Sequence, residues 1–530
     1  MISTQTRKRR RQPLATYAGL SLILLTFGPA LAAPVFAANP NVIVLLADDL
    51  GWADVGYHGS DIETPSIDRL AREGMRLERF YANPICTPTR ASLLTGRDAL
   101  RLGVGYFPIL AWSNKAVSPT EHFMPETFRA AGYQTAMVGK WHLGHTLETQ
   151  TPNARGFDEF FGHLHTQVFY YAHTTSGGHD LQQNGRSVRR DGRYLTDVHG
   201  EEAVHFIQNR DRSKPFFLYV PFLAPHSPME APVELIKKYS GRPTIELPVS
   251  NPLRRSISPR QLKQVQQVYA AMVDSMDEAI AKILATLDDE GIANDTIVLF
   301  FSDNGGFNGF GGNNAPLRGE KMTVQEGGIR VPAVIRWPGQ IPAGTESHQV
   351  ISVMDVFPTL ASAAGVEMKN AKPLDGRNVW PIAEGFEFKA RNGDVFFVAE
   401  QSTATPYFYS VIREHWKLIQ VIHEDLYTKR VETSLFDIKS DPGETTDLAS
   451  RHPELVATLG RAVADWAALH PVAGQHVEIR PNPGWLSPRD WADVVIPAEK
   501  MLSESIDGFP KGTARRLQKA YDGRGRVVYD

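Results

Sequence analysis

One cysteine, Cys86, occurs in 530 residues, so no disulfide can form within the chain. There is also no cluster of Cys and His at the spacing of a structural zinc site. The most apolar stretch, Leu14–Phe27, is shorter than the roughly 20 residues a membrane-spanning helix needs. Charge of either sign is modest: 22% of residues are charged and the formal net charge is −3, which excludes a broad basic surface for nucleic acid. Internal repeats and long low-complexity tracts are absent, which excludes solenoids and disordered tails as the main architecture. What remains is a chain of 42% hydrophobic residues, long enough for one large core and a smaller second domain.

Residues 1–38 carry Arg7, Lys8, Arg9, Arg10 and Arg11 and no acid, then the run Leu14–Phe27, then small residues near Ala32 and Ala37. That is the layout of a secretory signal peptide. Its removal would take the formal charge from −3 to −8. Export without disulfides suits a bacterial periplasm, and the Arg9–Arg11 cluster leaves twin-arginine export open.

Four apolar, β-branched or aromatic runs read as buried strands. Asn41–Leu46 leads into Asp48 and Asp49, and Thr135–Val138 into Lys140 and His142. Phe216–Val220 leads towards His226, and Thr296–Phe301 into Asp303 and Asn304. Helical patterns separate them. Thr64 and Pro65 open one that stops at Gly74, Met124 to Glu126 open another that stops at Gly132, and residues 263–290 carry a long apolar stripe. The alternation predicts an α/β fold with a large, mostly parallel sheet flanked by helices. Ligands of such sheets bind outside the carboxyl ends of the strands, so all four polar strand ends should meet on one edge. A glycine-rich loop from Leu317 to Pro332 adds Lys321. Beyond residue 390, short alternating runs predict a smaller antiparallel sheet, followed by a helix at 453–469. The expected division is 1–38 signal peptide, 39–390 catalytic domain, 391–470 C-terminal α+β subdomain and 471–530 extension.

Cys86 lies between Pro84 and Pro88, before Arg90–Gly96, which reads as a short helix. A lone cysteine is buried filler, a metal ligand or a reactive group, and a helix N-terminus favours developing negative charge. Two carboxylates on one strand end and Asp-Asn on another form an oxygen-only set, which selects Ca2+ or Mg2+. Arg90, Lys140 and Lys321 would surround an anionic ester on its other sides.

Cys86-Thr-Pro-Thr-Arg90 followed by Ala91–Arg97 resembles the signature of the type I sulfatases of the alkaline-phosphatase superfamily. So do Asp48–Gly51, Gly139–Gly144, Ala224–His226, Ser302–Gly305 and the Lys321–Pro332 loop. Gly139–Gly162 is most similar to the arylsulfatase and N-acetylgalactosamine-4-sulfatase branch. The resemblance implies hydrolysis of sulfate monoesters, of aryl alcohols or sugars. It implies that Cys86 is oxidised by a formylglycine-generating enzyme to Cα-formylglycine, whose aldehyde hydrate attacks sulfur to give a covalent sulfoenzyme. It implies that Asp48, Asp49, Asp303, Asn304 and the modified Cys86 bind Ca2+ (or Mg2+). Arg90 and Lys140 would hold the hydrate, His142 would assist elimination, and His226 and Lys321 would bind sulfate and protonate the leaving oxygen. Trp112, His163, His165, Tyr170, Tyr171 and His173 are candidates for a leaving-group wall. Two rival readings are a formylglycine-dependent phosphonate monoester or phosphodiester hydrolase, and an exported sulfate-ester-binding protein without turnover.

Overall fold

The structure is a computed structural model that describes residues 39–497 except 249–250, 370, 386–392, 401–406, 425–428, 469–479 and 482–483. The N-terminal signal-like segment, the expected boundary at 390 and most of the 471–530 extension lie outside the described residues.

The described residues form one ten-stranded sheet. From edge to edge its strands are Thr345–Ser347, Met75–Leu77, Ala333–Arg336, Thr296–Ser302, Asn41–Ala47, Phe216–Pro221, Gln134–Lys140, Glu159–His163, Gln182–Gln183 and Arg186–Ser187. The five from Thr296–Ser302 to Glu159–His163 run parallel, so their carboxyl ends share one edge. The sequence reading placed four of these strands to within a few residues and did not read Glu159–His163 as a strand. Lys140, two residues past the expected run Thr135–Val138, is itself the last strand residue.

Asn41–Ala47 shows why such a strand must be apolar throughout. Val42, Val44 and Leu46 enter one core layer, and Ile43, Leu45 and Ala47 enter the opposite one, because alternate side chains leave opposite faces. The second layer is closed by helices Leu195–Asn209 and Pro259–Asp289, the latter through Met272, Met276, Ile280 and Ile283. Ser258 caps that long helix, accepting from the Gln261 amide at 3.3 Å, while Gln261 accepts from the Ser258 amide at 3.0 Å.

Helix Pro65–Glu73 starts where expected, but Thr64 does not cap it. Its first amides, those of Ser66 and Ile67, donate instead to the Asp277 carboxylate at 2.9 and 2.8 Å. The cap comes from the long helix, so two elements distant in sequence are tied at a helix end.

Past residue 394 lies the smaller antiparallel sheet, with strands Val395–Glu400, Tyr407–Arg413, Trp416–Glu424 and Lys429–Asp437 in chain order. Helix Pro453–Ala468 covers it through Leu459, Val463 and Trp466. Among the described residues no helix is long and apolar enough to cross a membrane.

Candidate active site at the carboxyl edge of the sheet

Cys86 is the first residue of helix Cys86–Thr95. The helix therefore begins four residues earlier than the sequence predicts. Pro88 sits within the first turn, where a missing N–H costs nothing because those amides have no helical partner. At the other end Gly96 adopts φ 66° and returns its amide to Ser92 O at 2.9 Å. The charges of Lys140, Lys321, Asp48 and Asp303 all act on the Cys86 thiol, which puts the start of this helix at the strand ends.

The helix carries Arg90 beneath the site. Its guanidinium is fully buried and meets three groups: Asp303 Oδ2 at 2.9 and 3.1 Å, Asp48 Oδ2 at 3.2 Å and Lys140 O at 2.8 Å. Lys140 Nζ, also fully buried, contacts Asp48 Oδ2 at 2.5 Å. Lys321 Nζ reaches Asp49 Oδ1 at 2.7 Å, and Asn304 Nδ2 donates to the same oxygen at 2.7 Å. Three carboxylates are thus matched by three cations, Arg90 and Lys140 fully buried and Lys321 partly so, where pairing is the condition for keeping charge buried.

The charges do not share the burden equally. Burial works against the Asp48 carboxylate, but Lys140, His226 and Arg90 together hold it below the usual carboxylate range. Asp303 moves the other way: burial and the adjacent Asp48 charge push it up, and Arg90 only partly opposes them. Burial also raises the Cys86 thiol, with Lys140 and Lys321 pulling against it. An unmodified Cys86 therefore stays protonated at neutral pH and is a poor nucleophile.

Both histidines are neutral. Burial drives His142 well below its ordinary range, reinforced by Lys140 and Arg90. Its Nε2–H donates to Ile109 O at 3.0 Å, which leaves the buried Nδ1 as a bare acceptor. Burial, then Lys321, pushes His226 down to about 4 against the pull of Asp49. Its Nε2 is 3.7 Å from Asp49 Oδ2, and its Nδ1 donates to Ser227 O at 2.6 Å. Asp49 at φ 69° and His142 at φ 63° are left-handed without being glycine. Such strain concentrates where a side chain has to be aimed.

The site fits a hard cation. Asp48, Asp49 and His226 present ligand atoms within 4.8 Å of one another. Asp48 Oδ1 and Asn304 Oδ1 are buried and accept no hydrogen bond, which is unusual for polar atoms in a core. A divalent cation with a preference for oxygen would satisfy both.

All the residues singled out at the strand ends, together with Cys86, Arg90 and Lys321, meet at this edge. The proposed aromatic and histidine wall is mostly packing. His163 stacks on His199, His165 pairs with Asp180 at 2.7 Å, Tyr170 donates to His226 O, and His173 bonds Arg193 O. Trp112 is only half-buried and meets Trp485, whose neighbour Trp491 lies on His165. Sequence reasoning missed Asp54, which takes Tyr269 OH at 2.8 Å and the amides of Gly51 and Asn313. It thereby fixes the loop after Asp49, and nothing in its local sequence marks it.

The sulfatase family model matches residues 40–366, and the model for the C-terminal region of N-sulphoglucosamine sulphohydrolase matches residues 319–465. Arylsulfatase J of Mus musculus is 34% identical over 474 residues, 81% of this chain and 76% of its own length. N-acetylgalactosamine-6-sulfatase of Canis lupus familiaris is 32% identical over 511 residues, covering 88% of this chain and 91% of its own. The crystal structure of Ps i-CgsB in complex with k-i-k-neocarrahexaose superposes with a TM-score of 0.70 at 30% identity, covering 82% of this chain and 94% of that one. With these matches spanning the elements that carry the buried charges, the chain belongs to the sulfatase family of the alkaline-phosphatase superfamily and is a sulfuric ester hydrolase.

Proposed function

We propose that the protein hydrolyses sulfate monoesters of sugars or aryl alcohols after Cys86 has been converted to Cα-formylglycine by a formylglycine-generating enzyme. The observation that carries this reading is the meeting of two buried cations and the partly buried Lys321, three carboxylates and Cys86 around two unsatisfied oxygens. A protonated, buried thiol is a poor nucleophile in that setting. The hydrated aldehyde derived from it supplies one hydroxyl to take the sulfuryl group and a second whose deprotonation lets sulfate leave. Asp48, Asp49, Asp303, Asn304 and the modified residue would hold Ca2+ or Mg2+, which supplies charge to the sulfate oxygens and lowers the pKa of the hydroxyl it binds. Arg90 and Lys140 hold that hydroxyl pair in place. His142, neutral and with a bare Nδ1, accepts a proton. Lys321 contacts the sulfate and donates towards the leaving oxygen; His226, whose one ring proton is held by Ser227 O, contacts the sulfate and donates there only after taking up a proton on Nε2.

Relatives named for N-acetylgalactosamine 6-sulfate, and one bound to neocarrahexaose, support a carbohydrate sulfate as substrate. Residues 1–38 support export, to the periplasm or as a secreted protein, and 39–390, 391–470 and 471–530 serve as catalytic domain, α+β subdomain and extension. Mass spectrometry of the Cys86 peptide tests the nucleophile: loss of the thiol mass in favour of the aldehyde is expected, and an unmodified thiol in fully active protein overturns the mechanism. Turnover of 4-nitrophenyl sulfate should exceed that of a nitrophenyl phosphodiester; the reverse order assigns the protein to the phosphonate and phosphodiester hydrolases.

A further inference from the structure

A second buried ion network adjoins the Lys321 loop. Lys417, the second residue of the Trp416–Glu424 strand of the small sheet, is fully buried. Its Nζ meets Glu326 Oε1 at 3.0 Å and Glu444 Oε1 at 2.9 Å. The other Glu326 oxygen accepts from Tyr81 OH at 3.0 Å, and the Glu326 amide donates to Glu444 Oε2 at 3.0 Å. Three parts of the chain thus join at one carboxylate: the small sheet, the loop five residues after Lys321, and the segment five residues before Cys86.

The path from Glu326 to Lys321 has little slack. The Gly327 amide donates to Arg318 O at 2.6 Å, Gly305 to Gly328 O at 3.0 Å, Lys321 to Gly306 O at 3.3 Å and Met322 to Pro84 O at 2.8 Å. A Cβ on Gly305 would lie 1.8 Å from Gly327 O, and one on Gly328 2.1 Å from Thr323 O. Contacts this close transmit a displacement rather than absorb it. A buried lysine also fixes the carboxylates around it, because each ion is costly without its partner.

We propose that Lys417 is a positioning residue: through Glu326 and Glu444 it sets the Lys321 ammonium at the leaving-group side of the site. The small sheet is then part of the catalytic apparatus although it gives no group to the substrate. This inference rests on the assignment of Lys321 to the leaving oxygen, and the test separates the two.

The experiment measures kcat for Lys417→Met and Lys321→Ala on aryl sulfates of rising phenol pKa, from 4-nitrophenyl to unsubstituted phenyl sulfate. A displaced Lys321 is felt least by 4-nitrophenolate, which leaves unaided. Lys417→Met should lower kcat about tenfold on phenyl sulfate and about twofold on 4-nitrophenyl sulfate. The double variant should fall no further than Lys321→Ala alone. Equal losses on both substrates, or additive losses in the double variant, overturn the inference. If Lys321→Ala itself shows no leaving-group dependence, the assignment of Lys321 fails instead. Should Lys417→Met not fold, the isosteric Glu326→Gln reads the same slope: it supports the inference by steepening and overturns it by remaining unchanged.

Discussion

The most informative single atoms are Asp48 Oδ1 and Asn304 Oδ1, both buried without a hydrogen bond. A bare buried acceptor costs about 1–3 kcal/mol, so the cation that satisfies them should also stabilise the fold. Chelation is expected to lower both activity and the denaturation midpoint, and added Ca2+ to restore both. At a hundredfold excess over Kd the gain is about 2.7 kcal/mol. Asn304→Ala should shrink the stabilisation itself, read by denaturation with and without Ca2+; an undiminished response removes Asn304 from the ligand set. Arg90 has the converse role. Its fork serves Asp303, Asp48 and Lys140 O together, which no lysine can reproduce. Arg90→Met strands the buried Asp303 carboxylate while Asp48 keeps Lys140, and should cost about 3–5 kcal/mol in chemical denaturation; a loss below about 1 kcal/mol would show that Asp303 does not depend on the guanidinium.

At the scale of elements, the strand ends must approach one another closely, and glycine permits it. Gly139 adopts φ 137°, and a Cβ there would lie 2.0 Å from Pro221 O on the next strand. Gly59 is also left-handed, at φ 90°, but has nothing within 4 Å. Gly59→Ala should therefore cost about 1 kcal/mol of backbone strain with kcat within about twofold. Gly139→Ala adds a clash worth about 1–3 kcal/mol and moves Lys140, so kcat should fall at least about tenfold. Parallel denaturation and kinetics of the two variants check this contrast. The same elements show what a sequence can reveal. Four central strands and the residues just past them were legible, because burial on both faces enforces an apolar run and the fold then fixes which edge its end must share; Glu159–His163 and the short edge strands were not. The start of the Cys86 helix was not legible, since Pro88 reads as a breaker unless it is known to stand in a first turn. Asp277 as the cap of Pro65–Glu73, and Lys417 beside the Lys321 loop, are pairings across long stretches of chain, and neither leaves a local pattern.

Across the whole molecule, two populations of buried titratable groups respond to acid in opposite directions. His145 and His163 are held well below their ordinary range by burial, and His199 is pushed down to about 3 by the same cause. His199 has no partner on either ring nitrogen, so it must stay neutral in the fold. Between pH 6.5 and about 3 the unfolded chain binds this proton and the folded chain does not. Stability from His199 is thus present above pH 6.5 and is lost by about 1.4 kcal/mol per pH unit as the pH falls through that window. Asp54, Asp98 and Asp277 are pushed up to about 6 by burial. In the folded state they take up protons first, so between pH 6 and the unfolded carboxylate range acid returns a similar amount per group. The two sets therefore oppose one another from pH 6 to 4. Single variants expose each contribution. The stability of His199→Phe relative to the parent should rise by about 1.4 kcal/mol per unit on going from pH 6.5 to 4.5. That of Asp98→Asn should fall over pH 6 to 4, because it lacks the carboxyl that gains a proton. Denaturant titrations at three pH values measure both slopes. Slopes of the same sign would refute the opposition of the two sets, and a flat His199→Phe difference would mean that the ring already finds a proton acceptor inside the fold.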